Sequence, residues 1–293
     1  MISNILEQVQ SGKPVVLDGA TGTELDARCE DIVLGGNTHL AHIDHPEVVQ
    51  RLALDYVEAG AQIILSNTLI ANRSFLKQYG SGDKVVDLNS IAVRVLRDVG
   101  IKCIGGSVGI TGQPYNQGMH YFGLGVGEYE AIFREQVQAL RGVDIIVIET
   151  QMYLEEAQAA LKVAKEYGLP TVISFDFHYK PRLGGQEKDY CRTEGGVGID
   201  ELASLNADII GFNCGNFELS HAVEIIGYLR RVTDKPIWAK PNAGLPGQPE
   251  TIVESEEFGA YGRKMIEAGA NLVGGCCNST PQHIKALSEC LKE

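Results

Sequence analysis

The chain has no excess of basic residues: 25 lysines and arginines stand against 38 aspartates and glutamates, a formal net charge of −13. Such a chain repels phosphate backbones, and it has no basic run and no interleaving of aromatic with basic residues, so nucleic acid is not expected as a partner. It lacks any uncharged apolar stretch near the roughly 18 to 20 residues a membrane span needs. Residues 1–13 carry neither a basic n-region nor a long apolar core. No membrane association is expected, and the expected location is the cytoplasm. Among seven cysteines there is no CxxC pair, which speaks against thioredoxin-like redox chemistry and ordinary zinc-finger spacing. The 293 residues contain no linker, low-complexity tract or Pro/Ser-rich break, so 1–293 is expected to be one domain.

What is present is a repeat. Apolar, strand-like runs fall at 14–20, 61–68, 102–109, 144–150, 170–177, 208–214, 236–243 and 271–277. Most are nearly continuous, as suits strands covered on both faces in a parallel sheet. Amphipathic helical patterns alternate with them at 47–59, 85–99, 128–140, 154–167, 219–232, 256–268 and 281–291, and the fifth connection offers only a short helix at 199–206. Asp44-His45-Pro46-Glu47 reads as a capping box with proline in the first turn, and Gly60, Gly100, Gly168 and Gly269 each follow a helix and precede a strand. Eight strand–helix units predict an α/β fold, a single (β/α)8 TIM barrel; a doubly wound open sheet has the same periodicity and is the alternative.

In such a barrel, chemistry sits at the C-terminal strand ends. Those ends carry Asp18 to Gly22, Ser66-Asn67-Thr68, Glu149-Thr150, Asp176 with His178, Asn213-Cys214, Lys240-Pro241-Asn242 and Cys276-Cys277. Cys214 and the Cys276-Cys277 pair end the sixth and eighth strands. At about 4.8 Å per strand their backbones lie roughly 10 Å apart, a gap that cysteine side chains and a shared ion can bridge. Adjacent strand residues point to opposite faces, so both Cys276 and Cys277 reach one ion only if the strand breaks there, a freedom that Gly274 and Gly275 supply. The alternative is that the three are small buried hydrophobes, the reading given to Cys29, Cys103, Cys191 and Cys290. Three thiolates with an open fourth position favour a catalytic zinc over a closed structural one. Zinc deprotonates a bound thiol outright, whereas a free thiol of pKa about 8.5 is only a few per cent ionised at pH 7.

The segments DGATGTEL from Asp18, SNT from Ser66, ETQM from Glu149, GFNC ending at Cys214, KPNAGLP from Lys240, and GGCC ending at Cys277 with STP after Asn278 together resemble the homocysteine S-methyltransferase family. The likeness runs from about residue 10 to 290. It is nearest to the homocysteine-binding barrel of cobalamin-dependent methionine synthase, and more distant to the betaine and S-methylmethionine enzymes. The resemblance implies zinc (Zn2+) held by Cys214, Cys276 and Cys277, with the homocysteine sulfur as fourth ligand. It also maps onto Asn242 an asparagine that occupies the metal when substrate is absent. Homocysteine is a zwitterion, so its ammonium needs an anion, for which Glu149 is the candidate. Its carboxylate needs donors, which the turn from Asp18 to Thr23, through Gly19, Ala20 and Thr21, offers as backbone N–H groups; the resemblance points to the same residues, with the Asp18 side chain orienting the amino acid or the turn, or simply bonding its own glycine-rich turn. Ser66 and Asn67 complete the candidate substrate contacts.

The implied function is zinc-dependent transfer of a methyl group to homocysteine, giving methionine. The donor stays open among a sulfonium, a betaine-type quaternary ammonium and a methylcorrinoid. With no DxHxxG motif present, a corrinoid would come from a separate protein or from solution. Asn278-Ser279 stands where the family usually has Gly-Thr. The alternatives are a related thiol in place of homocysteine, a zinc that merely closes the barrel, and a metal-assisted lyase or aldolase, for which oxygen and imidazole ligands would be expected. His39, His42 and His45 read as the loop into the first helix rather than a metal cluster, and 123–127 is not a dinucleotide fingerprint. The segments 112–127, with Tyr115, Met119, Tyr121 and Phe122, and 177–198, with His178 and Tyr179, are candidate lids or donor contacts.

Overall fold

A computed structural model describes residues 2–112, 124–179, 191–245 and 247–292. Its strands are β1 (Val15–Val16), β2 (Ile64–Leu65), β3 (Ile104–Val108), β4 (Ile145–Gln151), β5 (Thr171–Phe175), β6 (His178–Tyr179), β7 (Cys191–Arg192), β8 (Ile209–Cys214), β9 (Ile237–Pro241) and β10 (Leu272–Val273). Eight of them lie parallel in the order β1-β10-β9-β8-β5-β4-β3-β2, while β6 and β7 form a separate antiparallel pair. The two ends of that order meet: Leu17 bridges Ile63 in parallel, and the Gln62 N–H donates to the Val16 carbonyl at 2.8 Å. The sheet therefore closes into a (β/α)8 barrel, and the open-sheet alternative is excluded.

The helices are α1 (Ile2–Gln10), α2 (Gly22–Arg28), α3 (Ala41–Asp44), α4 (Pro46–Glu58), α5 (Arg73–Lys77), α6 (Val85–Asp98), α7 (Val126–Ala139), α8 (Leu154–Lys165), α9 (Ile199–Ser204), α10 (Leu219–Val232), α11 (Ser255–Glu267) and α12 (Pro281–Cys290). Each longer helix of the outer ring turns one apolar face to the sheet; on α4 it is Val49, Leu52, Ala53 and Tyr56. Burial of such side chains contributes about 1.5 to 3 kcal/mol each and fixes the helix against its strands. Among the described residues no helix is long and apolar enough to cross a membrane.

Inside the barrel the side chains alternate with the strand period of two. Val15, Leu17, Ile63, Leu65, Ile145, Val147, Val172, Ile209, Trp238 and Leu272 form one interior cluster, and Ile5 and Val9 of α1 plug its lower end. Two residues beyond Val147 and Trp238 stand Glu149 and Lys240, and on β8, where Gly211 follows Ile209 on the inner face, Asn213 comes next. The interior is thus apolar below and polar at its C-terminal mouth. Gly211 lies in this stack against Trp238, its partner in register. A Cβ on Gly211 would sit 1.8 Å from the Trp238 carbonyl oxygen, so the backbone must shift to admit it. Gly211→Ala is expected to destabilise the fold by about 1 to 3 kcal/mol, the usual cost of overpacking a core, read as a lower urea midpoint at unchanged slope. An unchanged midpoint would contradict this packing.

Several expectations are corrected. The reading of 44–47 as a capping box fails, because His45 is the N-cap of α4, makes no side-chain cap bond, and Asp44 instead ends α3. Pro46 suits the first helical position because no N–H is needed there. The loop expected around His39 and His42 is a 3-10 turn at Thr38–Leu40 running into α3. Both histidines are buried, and burial pushes His42 down to about 4, which keeps it neutral. The runs at 14–20, 61–68 and 271–277 contain only two ladder residues each. At β2 the cause is visible: the Leu65 N–H is taken at 2.7 Å by the Asp18 carboxylate instead of a neighbouring strand. Gly60, Gly100, Gly168 and Gly269 all have positive φ, as helix-ending glycines should.

Candidate active site

Two backbone devices bring the cysteines together. Cys214 ends β8 with φ +58°, a left-handed turn that continues into Gly215. After β10 the chain leaves the ladder at Gly274 and Gly275, but these glycines do not serve through unusual φ. They serve through close approach: a Cβ on Gly274 would lie 2.6 Å from the Asp18 carbonyl, and one on Gly275 would lie 2.2 Å from the Ser279 hydroxyl. The left-handed residue of this turn is Asn278, φ +62°. Asparagine tolerates that region better than other side chains, which suits it to this turn. Its amide also donates to the Gly244 carbonyl at 3.2 Å.

The ligand atoms of Cys214, Cys276 and Cys277 all lie within 4.8 Å of one another, and the Cys214 and Cys277 sulfurs are 3.8 Å apart. Among the described residues this is the one group of three or more His, Cys, Asp or Glu side chains close enough to share a metal ion. Hydrogen bonds from the Cys214 and Cys277 thiols, with the nearby Lys240 ammonium, hold Cys276 well below an ordinary thiol pKa. Cys29, Cys103, Cys191 and Cys290 are free thiols apart from this group.

A cavity of about 250 Å³ opens beside Cys276 and Cys277. Gly19, Ala20, Thr21, Ser66, Asn67 and Glu149 line it, together with Ser107, Thr150, Asn213 and Lys240. The outer wall is apolar, made by Leu34, Leu69, Ile70 and Phe75. Glu149 accepts the Ser107 hydroxyl at 2.5 Å. Burial pushes Glu149 up to about 7, against the opposing pull of Lys240 and Ser107. Ser66 shares a 2.7 Å hydrogen bond with Thr68 and accepts the Ser107 N–H at 3.1 Å, while the Asn67 amide donates to the Thr38 carbonyl at 2.6 Å. The Ala20 N–H is taken by Ser279, so of the five turn residues lining the cavity, Gly19 to Thr23, that one does not offer its N–H to it.

Two candidates stand behind the cavity wall instead. Asp18 is buried, with one oxygen on the Lys240 ammonium and the other on the Leu65 N–H, so it supports Lys240 and the β2 end. Asn242 accepts the Cys277 N–H at 3.0 Å and donates to the Gly215 carbonyl at 2.9 Å, which ties the two cysteine turns together. Asp176 is buried at the β5 end, 3.4 Å from the His178 ring. Tyr115, Met119, Tyr121, Phe122 and Gly123, the residues 180–190 and Pro246 lie outside the described residues. Sequence reasoning put no candidate on β3, yet Ser107 lines the cavity. The signal was the alternation Cys103, Gly105, Ser107, which puts every second residue of that strand inside the barrel.

A family model for homocysteine S-methyltransferase matches residues 15–291. Maize homocysteine S-methyltransferase 2 is 28% identical, with 97% of this chain and 91% of that protein covered. Methionine synthase of Mycobacterium tuberculosis is 29% identical over 97% of this chain, which corresponds to 25% of that longer protein. The metallated form of the homocysteine methyltransferase MmuM from Escherichia coli has a similar fold, with a TM-score of 0.74 at 24% identity, covering 94% of this chain and 96% of that one.

Proposed function

The chain belongs to the homocysteine S-methyltransferase family and is a methyltransferase, and from this premise we propose that it moves a methyl group from an activated donor to the thiol of homocysteine, giving methionine, at a zinc site formed by Cys214, Cys276 and Cys277. The observation that carries the proposal is the convergence of three sulfurs beside a cavity that also holds Glu149. The donor set fits zinc: with bonds of about 2.3 Å in a tetrahedron, neighbouring sulfurs stand about 3.8 Å apart, and sulfur ligands disfavour the lyase or aldolase alternative. The Cys214 to Cys277 separation agrees with that spacing. Zinc bound here would supply a Lewis acid that takes the proton from an incoming thiol at neutral pH, and a position open to it.

The chain's own residues do the rest. Glu149, steadied by Ser107, takes the substrate ammonium, and the backbone N–H groups at the start of α2 take its carboxylate. Held at both ends, the amino acid presents its sulfur toward the cysteines, so transfer gains from positioning as well as from ionisation. Leu34, Leu69, Ile70 and Phe75 exclude water from the side on which a donor would approach. The cytoplasm, where thiols stay reduced, is the setting we propose. The donor is a sulfonium, a betaine-type ammonium or a methylcorrinoid, the last brought by a separate corrinoid protein; methionine formation with each donor in turn identifies it.

X-ray absorption at the zinc edge, with and without homocysteine, tests the site. The expected result is loss of one nitrogen or oxygen scatterer and a rise from three sulfurs to four. A shell that homocysteine leaves unchanged would remove the proposal.

A further inference from the structure

Among the described residues, three that are not glycine have φ in the left-handed region, and all three flank the site: Thr150 at +58°, Cys214 at +58° and Asn278 at +62°. The last two shape the cysteine turns. Thr150 is the anomaly, because a β-branched residue is poorly suited to that region. It follows Glu149 directly, and the β4–β5 register slips between Ile148 and Gln151, so Glu149 and Thr150 form a bulge. Bulges beside active sites re-aim side chains, and this one presents Glu149 to the cavity.

A single side chain from β8 holds the bulge. The Asn213 Oδ1 accepts the Thr150 N–H at 2.9 Å and the Ser174 hydroxyl at 2.6 Å, and its Nδ2 donates to the Thr150 hydroxyl at 2.8 Å. The same Nδ2 also donates to the Cys276 sulfur, at 3.9 Å. Asn213 is 1% exposed, so these contacts do not compete with bulk water. One amide therefore grips both the turn that aims Glu149 and a sulfur of the trio.

We propose that Asn213 is a positioning residue that couples the two halves of the site, fixing the Glu149 carboxylate through the Thr150 turn while its amide donates to the Cys276 sulfur. The first half rests on the reading of Glu149 as the ammonium partner of homocysteine. The second half does not, since an N–H on a sulfur draws charge from it whatever the substrate.

Asn213→Ala in the full chain is expected to raise the KM for homocysteine roughly tenfold to a hundredfold and to lower kcat, the usual range for an outer partner of a metal ligand. Adding Thr150→Gly should recover most of the KM, because glycine adopts a positive φ without being held. It should not recover kcat, because glycine puts no N–H on the sulfur. In the cobalt(II)-substituted protein the sulfur-to-metal absorption band should shift in Asn213→Ala and stay shifted in the double variant. If Asn213→Ala does not fold, the single variants at 150 decide: Thr150→Val, the same shape without the hydroxyl, should raise KM more than Thr150→Gly does, and the reverse order overturns the proposal. A KM that Thr150→Gly does not rescue, or a band that Asn213→Ala leaves in place, overturns the coupling. A native chain with no turnover of homocysteine overturns the functional reading and the Glu149 half with it, while the band still decides the sulfur half.

Discussion

Cys276→Ser is expected to lose bound zinc almost completely and to lower kcat/KM by at least about a thousandfold, far more than the roughly tenfold to hundredfold usual for an outer partner of a ligand. The sulfur of Cys276 lies with those of Cys214 and Cys277 inside one 4.8 Å group, and the described residues supply no fourth His, Cys, Asp or Glu to that group. A serine hydroxyl in its place neither ionises near neutral pH nor suits zinc as sulfur does. Two thiols would remain, which is fewer than any common protein zinc site uses. The fold should survive, because Cys276 lies in a turn beyond the end of β10 and the barrel is held by the apolar stack below it. Elemental analysis for zinc and far-ultraviolet circular dichroism on the same sample read the two effects separately. Cys290→Ser on α12, away from the trio, serves as the control and should keep its metal. Full occupancy in Cys276→Ser would refute the ligand assignment.

How much of this was legible in the sequence depends on which physical feature carries the information. The barrel strands were legible because a strand buried on both faces must be apolar along its length, and seven of the helices because one face must be. The end of β2 was not, because there a side chain, the Asp18 carboxylate on the Leu65 N–H, replaces the regular ladder. Helix α1 precedes the first strand and so belongs to no strand–helix repeat that would signal it; its amphipathic pattern serves to plug the barrel floor. The cysteines could be assigned to one rim from strand order alone. What brings them into one group, a positive φ at Cys214 and at Asn278, has no signature in residue type at a cysteine and only a weak one at an asparagine. Asp18 and Asn242 sit at strand ends as expected, yet their polar atoms are committed to Lys240, Leu65, Cys277 and Gly215. Sequence places a residue at the rim; competition among neighbouring donors and acceptors decides whether it faces the cavity.

That competition makes Glu149 the most informative carboxylate to change, and Glu149→Gln is expected to move binding and stability in opposite directions. Glutamine keeps an acceptor for the Ser107 hydroxyl but cannot pair with an ammonium. Removing one partner of a buried ion pair costs about 3 to 5 kcal/mol, so the KM for homocysteine should rise on the order of a hundredfold or more. Stability follows from linkage. Burial pushes Glu149 from 4.5 up to about 7 in the folded chain. Between those values the native state keeps a proton that the unfolded chain has released, so stability falls as pH rises through this window, and the full penalty remains above it. The shift corresponds to about 3 kcal/mol at most, and glutamine has no such penalty. Glu149→Gln should therefore be the more stable protein in urea at pH 8, with the difference fading toward pH 4.5. Native homocysteine binding should tighten from pH 6 to 8 as the carboxylate ionises, and the variant should stay weak across that range. A variant that binds homocysteine as tightly as the native chain would remove Glu149 as the ammonium partner, whatever its effect on folding.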